Sequence, residues 1–316
     1  MLWEKLGQIW APSGDVSWAQ SHAQLPIVQV VAPDRWWVYV STRDTAGKSR
    51  IGRVVLDVGE LATSDQVRVC HFEPEPVLSL GEPGTFDDSG VMPAWLMQVG
   101  DSIWLYYIGW NVIATVPYRL AIGLAVSIDG GATFRRRDVG PIIDRSRREP
   151  FFATAPCVLR DGNAWRMWYV SCTGWQQVHQ RWEPAYHVKY AESNDGIDWT
   201  VLGHSCVEPK PGYAIGRPCV FRRGNGFAML YSDRSITDYR SDRNCSYRLG
   251  YAESTDGLHW ERMDHRVGIE KSTEGWDSEM IEYCWLQQHR DATYLLYNGN
   301  GFGLTGFGLA RLSSQT

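Results

Sequence analysis

Two acidic residues hold matching places in the 316-residue chain: Asp88 stands five positions before Pro93, and Glu279 five before Cys284. Each opens an apolar run that continues to a tyrosine, Tyr107 in one case and Tyr297 in the other. Two carboxyl groups, one held protonated and the other ionised, can protonate a leaving oxygen and activate water or attack carbon without a cofactor. Asp88 and Glu279 are therefore the candidate catalytic pair. Asp87, Asp277 and Glu282 lie beside them, and His22 and Arg217 open equivalent runs elsewhere. The segments that close such runs add Arg43, Asp44, Trp110, Trp175, Asp233, Arg234, Asn298 and Asn300. Rings that stack on the apolar faces of pyranoses, mixed with amide, guanidinium and carboxylate groups that bond hydroxyls, suit a small-molecule carbohydrate substrate. Arg43, Arg217 and His22 leave room there for a phosphate or a carboxylated sugar.

The elements that must bring these residues together are repeats. Tyr190-Ala-Glu-Ser-Asn-Asp-Gly-Ile-Asp-Trp199 and Tyr251-Ala-Glu-Ser-Thr-Asp-Gly-Leu-His-Trp260 start 61 residues apart, and a third copy, Leu124 to Phe134, starts 66 residues before the first. A second motif, two apolar stretches split by a polar turn, runs from Pro26 to Tyr39, Pro93 to Tyr107, Pro156 to Tyr169, Pro218 to Tyr231 and Cys284 to Tyr297. Aromatic and β-branched runs broken by Asp-Gly and Asn-Gly turns are antiparallel hairpin signals. The expected fold is all-β: a five-bladed β-propeller of four-stranded antiparallel blades, with residues 1–316 forming one domain. The last unit lacks a fourth strand, and Trp3-Glu-Lys-Leu-Gly-Gln resembles the fourth strands that begin at Trp199 and Trp260. An N-terminal strand is thus expected to close the last blade and hide its edge.

Strand direction sorts the faces. The Ser-x-Asp-Gly turns of Asp129, Asp195 and Asp256 fall opposite the first-strand entrances, and their acids read as turn residues rather than calcium ligands. Asp88, Glu279 and the groups around them fall together on the other rim, near the central funnel.

The formal charge of −5 gives no general attraction to phosphate backbones or anionic membranes, so neither nucleic acid nor membrane is an expected partner. The chain starts with charges and carries no long uncharged apolar stretch, which predicts a soluble, cytoplasmic protein. The seven cysteines form no C-x-x-C pair and read as reduced thiols. Gly301-Phe-Gly-Leu-Thr-Gly306 matches a dinucleotide-binding spacing but precedes a terminal strand, with no helix to hold a pyrophosphate. No cofactor and no metal site is expected, and the oligomeric state is left open.

With these five units, the Ser-x-Asp-Gly-x-x-Trp turns and the acids at the strand entrances, the chain resembles the five-bladed β-propeller glycoside hydrolases, the superfamily of families 32, 43, 62, 117 and 130. Gly275-Trp-Asp-Ser-Glu-Met-Ile281, Tyr297-Asn-Gly-Asn300 and Gly84-Thr-Phe-Asp-Asp-Ser-Gly-Val91 are similar to bacterial proteins labelled as glycosylases and associated with polysaccharide gene sets. The resemblance implies glycoside hydrolysis or phosphorolysis, or sugar binding by a site that has lost its chemistry. It does not carry over the acid triad of arabinanase-type members. Here unit one opens Ser21-His-Ala-Gln-Leu-Pro26 and unit three opens Phe151-Phe-Ala-Thr-Ala-Pro156.

Overall fold

The computed structural model describes residues 1–313. Blade one consists of β2 (Ser21–Ala32), β3 (Arg35–Arg43), β4 (Ser49–Asp57) and β5 (Arg68–Phe72), preceded by the N-terminal β1 (Trp3–Trp10). Blade two consists of β6 (Gly90–Val99), β7 (Ser102–Asn111), β8 (Arg119–Ser127) and β9 (Arg135–Arg136). Blade three consists of β10 (Ala153–Asp161), β11 (Ala164–Val178), β12 (Arg181–Ser193) and β13 (Thr200–Val207). Blade four consists of β14 (Tyr213–Arg223), β15 (Gly226–Ser235), β16 (Arg248–Ser254) and β17 (Glu261–Arg262). Blade five supplies β18 (Glu282–His289), β19 (Ala292–Asn298) and β20 (Phe307–Leu312).

Each blade is antiparallel in chain order, and the fourth strand of blade five is β1, with Trp3 opposite Leu312. The closure is held by more than the ladder. The Trp3 indole donates to the Val267 carbonyl at 3.0 Å and the Lys5 ammonium reaches Asp277 at 2.6 Å. Asn300–Gly303 forms a single four-residue helical turn, kinked at Gly301 and Phe302, before β20, so the glycine spacing opens no helix long enough to hold a pyrophosphate.

The Ser-x-Asp-Gly turns are built as the sequence suggests. The Asp195 carboxylate accepts from the backbone N–H groups of Ile197 and Asp198, and Asp256 does the same for Leu258 and His259. Gly196 and Gly257 take the positive φ, 78° and 81°, that these turns require. The following tryptophans pack between blades, with the Trp260 ring edge-on to Trp168 at 6.1 Å.

A second repeated device fills the blade cores. The tyrosine that ends the second-strand motif donates its phenol to a carboxylate, buried in all but blade four, and a cation completes the group. Tyr107, Asp87 and Arg136 form it in blade two, at 2.9 Å and 2.7 Å. Tyr169, Glu149 and Lys189 form it in blade three, Tyr231, Asp264 and Arg262 in blade four, and Tyr297, Asp277 and Lys5 in blade five. In blade one Tyr39 donates instead to Gln29 and to the Gly131 carbonyl. Burial, reinforced by the carboxylate that each contacts, pushes the four phenols of the acid-containing groups upward.

The innermost strands carry the feature that shapes the centre. Pro26, Pro93, Pro156 and Pro218 sit inside them, and a proline cannot donate to a ladder, so it belongs on an edge strand or at a bulge. Both conditions are met. The first strand of each blade is an edge strand except β6, which meets β4 through the single pair Ser49–Gly90, and the pairing slips at every proline and at Cys284. Leu25, Ala155, Arg217 and Tyr283, each just before the Pro or Cys, take φ between +47° and +56°. Such left-handed backbone costs a non-glycine residue about 1 kcal/mol, and a bulge re-aims its side chain.

Candidate functional site

The re-aimed side chains form a ring. Leu25, Met92, Ala155, Arg217 and Tyr283, one from each blade, all line an inner chamber of about 130 Å³ at the propeller centre. Gln24, Thr154 and Gly216, one residue earlier in their strands, line it too, and Glu282 holds the matching place in blade five. The inner chamber opens into an outer one of about 350 Å³, and the two share Gln24, Met92, Tyr118, Tyr186, Tyr247 and Tyr283 among their walls.

Arginine and tyrosine dominate the outer chamber. Arg234 is 1% exposed: its Nε donates to the Tyr186 phenol at 2.9 Å, its two terminal nitrogens donate to the carbonyls of Ser235 and Pro184, and its plane lies 3.9 Å from the Tyr239 ring centre. The Tyr186 and Tyr247 hydroxyls meet at 2.5 Å, and burial pushes the Tyr247 phenol up to about 12. Arg240 donates to the buried Glu183 carboxylate at 2.8 Å, and the Tyr239 hydroxyl donates to the same group at 2.5 Å. Arg43 enters from blade one and donates to the Gln24 side-chain oxygen at 2.9 Å.

Two groups in this region lack the partners their burial demands. Glu282 is fully buried, and neither carboxyl oxygen accepts a hydrogen bond of normal geometry. Burial raises its carboxyl well above the usual range, opposed only in part by the Tyr283 hydroxyl and by Arg234 and Arg240. Arg217 is 1% exposed and donates one bond, from Nη1 to the Ala94 carbonyl at 2.7 Å, while its Nε and Nη2 have no acceptor. Unpaired buried polar groups cost of order 1–3 kcal/mol each, more if charged.

Of the residues singled out from the sequence, Arg43, Trp110, Arg217 and Arg234 line the two chambers, and Glu282 abuts their tyrosines. The expected pair does not. Asp88 is a turn acid that accepts from the Gly84 N–H and the Ser89 hydroxyl, at 2.9 Å and 2.8 Å, and Glu279 is exposed on the loop before β18. Neither lines the cavity, because the residues that do, Met92 and Tyr283, come four positions later in the chain. Asp87 and Asp277 belong to the blade-core groups described above. Asp44 caps its own loop through the Ala46 and Lys48 N–H groups and pairs with Arg50. Asp233 pairs with Arg262 at 2.8 Å.

Asn298 is a structural brace between blades five and one, accepting from the Leu25 N–H and donating to the Ala23 carbonyl. Asn300 holds the Glu279 loop through the backbone of Glu279 and Gly275. Trp175 packs against Tyr118 and Phe152, behind the chamber wall. His22 is half-buried beside Arg43, and burial followed by that charge lowers its ring to about 4, so it is neutral at pH 7. Gln24, Tyr118, Glu183, Tyr186, Arg240, Tyr247 and Tyr283 were not anticipated. The signal for Gln24 and Tyr283 was present: a proline, or the aligned Cys284, inside an innermost strand announces the bulge.

Among the described residues no cluster of His, Cys, Asp or Glu could hold a metal ion, and no helix is long and apolar enough to cross a membrane.

No family model matches the chain. Two uncharacterized Mycobacterium tuberculosis proteins, MT1551 of strain CDC 1551 and Rv1502 of strain H37Rv, are 38% identical over 316 residues, covering 99% of this chain and 100% of each relative. The chain belongs to their family. Its propeller is that of the glycoside hydrolases. A solved glycoside hydrolase superposes with a TM-score of 0.71 at 19% identity, over 99% of this chain and 92% of that one. A glycosyl hydrolase from Bacteroides ovatus gives 0.72 at 14% identity, over 99% and 94%. A structure described under the GH130 family of mannoside phosphorylases, which contains hydrolases targeting β-1,2 mannosidic linkages in Candida mannan, gives 0.67 at 15%, over 99% and 94%. At these identities the shared property is the fold.

Proposed function

We propose that the chain is a glycosidase-like enzyme that binds a small sugar conjugate or oligosaccharide in the two chambers and uses Glu282 as its proton donor. The observation that carries this reading is the buried, unpaired Glu282 carboxyl at the bulge of blade five. A carboxyl kept protonated by burial can hand its proton to a departing glycosidic oxygen. Glu183, ion-paired with Arg240 and hydrogen-bonded by Tyr239, is the second acid touching the chamber walls, and its role is to activate water or attack the anomeric carbon. The tyrosine faces supply stacking surface for a sugar ring. A hydrolase, a phosphorylase and a single-domain chain all fit this frame.

The test is turnover of a panel of aryl glycosides and oligosaccharides by wild-type protein, Glu282→Gln, Glu183→Gln, Asp88→Asn and Glu279→Gln. Loss of at least 100-fold in kcat is expected for the first two variants, since a positioned acid or base contributes roughly 10²–10⁴ in rate. Asp88→Asn and Glu279→Gln are expected to keep wild-type turnover. The reverse pattern would return the chemistry to the rim.

One observation favours a second reading, a sugar-binding propeller without turnover: Glu183 is already ion-paired, at 2.8 Å, with Arg240. Binding of a sugar that Glu282→Gln leaves unchanged, with no turnover by any form, would select it.

A further inference from the structure

The charge inside the cavity is opposite to that of the molecule. The chain as a whole carries −5, yet Arg43, Arg217, Arg234 and Arg240 all line the two chambers. Among the described residues only Arg240 is matched by a carboxylate there, that of Glu183. The other acid, Glu282, has no ion-pair partner, and burial raises its carboxyl well above the usual range.

Arg217 is the informative member. A guanidinium remains protonated in proteins, so its burial without a counter-ion cannot be relieved by losing a proton. Two of its nitrogens have no acceptor, and the only charged-type neighbours around it are the thiols of Cys157, Cys219 and Cys284. The residue is also held at φ +50°, in backbone that a non-glycine residue adopts only under constraint. Burial without a partner and left-handed backbone are both unfavourable to folding, and both fall on one cation in the wall of the inner chamber. Arg136 and Arg262, by contrast, each meet a buried carboxylate.

We infer that the inner chamber is an anion subsite in which Arg217 receives a carboxylate or phosphate group carried by the sugar, with Arg43 and Arg234 adding positive potential along the way in. This deepens the glycosidase reading, on which it rests, by assigning the substrate to the acidic sugars. A planar guanidinium with two free N–H directions meets the two oxygens of either anion.

The test is equilibrium binding to the full-length protein, by calorimetry at fixed ionic strength, of three probes: glucuronate, inorganic phosphate and, as the neutral control, glucose. Wild-type protein is expected to bind glucuronate or phosphate more tightly than glucose, and the anion that binds identifies the source of the charge. Arg217→Met is expected to bind that anion about 10- to 100-fold more weakly, the range for losing a charge-assisted hydrogen bond. Because Arg217→Met removes an unmatched buried charge, it is expected to melt no lower than wild type. If it does not fold, Arg217→Lys, which keeps the charge and loses the fork, is expected to bind the anion at least 5-fold more weakly. No binding of either anion up to tens of millimolar, or equal binding by wild type and the Arg217 variant, overturns the inference. Such a failure leaves the acid role of Glu282 standing, since that role is read from turnover by Glu282→Gln.

Discussion

The blade cores and the central cavity bury the same kinds of side chain and treat them differently. In blades two to five a carboxylate, a tyrosine and a cation close on one another, as Asp87 does with Tyr107 and Arg136. In the cavity, a few residues along the same chain, Glu282 lacks both hydrogen-bond partners and Arg217 lacks two. On the proposed reading this contrast separates structural acids from functional ones. A satisfied group is accounted for by the fold, whereas an unsatisfied buried charge destabilises it.

Removing a blade-core acid tests one side of that contrast. Asp87→Ala leaves Tyr107 and the partly exposed Arg136 without their acceptor and is expected to cost about 3 kcal/mol in urea unfolding. Only a small loss would mean that the blade-core groups are ornaments of the packing.

Glu282→Gln tests the other side, and with the opposite sign. The native carboxyl binds its proton at a higher pH than the unfolded one, so its contribution falls as pH rises above the ordinary glutamate range. The variant is therefore expected to match wild type near pH 4. It is expected to exceed it at neutral pH, the gap growing by roughly 1.4 kcal/mol per pH unit until the raised value is reached. Equal melting at both pH values would place Glu282 among the satisfied acids.

His22 gives a weaker, acid-side signature. Its ring is depressed to about 4, so wild-type stability is present above the unfolded value of 6.5 and is lost as pH falls through the native one. His22→Gln is expected to flatten that loss by less than about 1 kcal/mol, because solvent reaches the half-buried ring. The smallest effects belong to the rim. Asp88→Asn and Glu279→Gln are expected to change stability by under about 0.5 kcal/mol, as surface substitutions do.

These residues show how much of the fold and the site is legible in the sequence. Five blades, the closing strand and the Asp-Gly turns were legible, because repeats, turn chemistry and an unfinished last unit are local patterns. The site was legible only in part. Counting five residues back from each aligned Pro or Cys singled out Asp88 and Glu279, whereas the bulges at Pro218 and Cys284 bring Arg217 and Tyr283 to the chamber instead. A fixed offset assumes an unbroken pleat, and a single bulge shifts every facing beyond it. Tyr118, Tyr186 and Arg240 had no such signal. They reach the cavity from the residue before β8, from within β12 and from the loop after β15, places fixed by how blades lean together rather than by spacing.

The central claim is that Glu282 is a buried, protonated acid at a functional centre. A carbon-13 NMR titration of protein labelled at the glutamate side-chain carboxyl, with the Glu282 signal assigned by its loss in Glu282→Gln, tests it most directly. The account predicts one glutamate signal that still has the shift of a protonated carboxyl at pH 7 and disappears in the variant. If that signal titrates with the exposed glutamates, the claim is wrong.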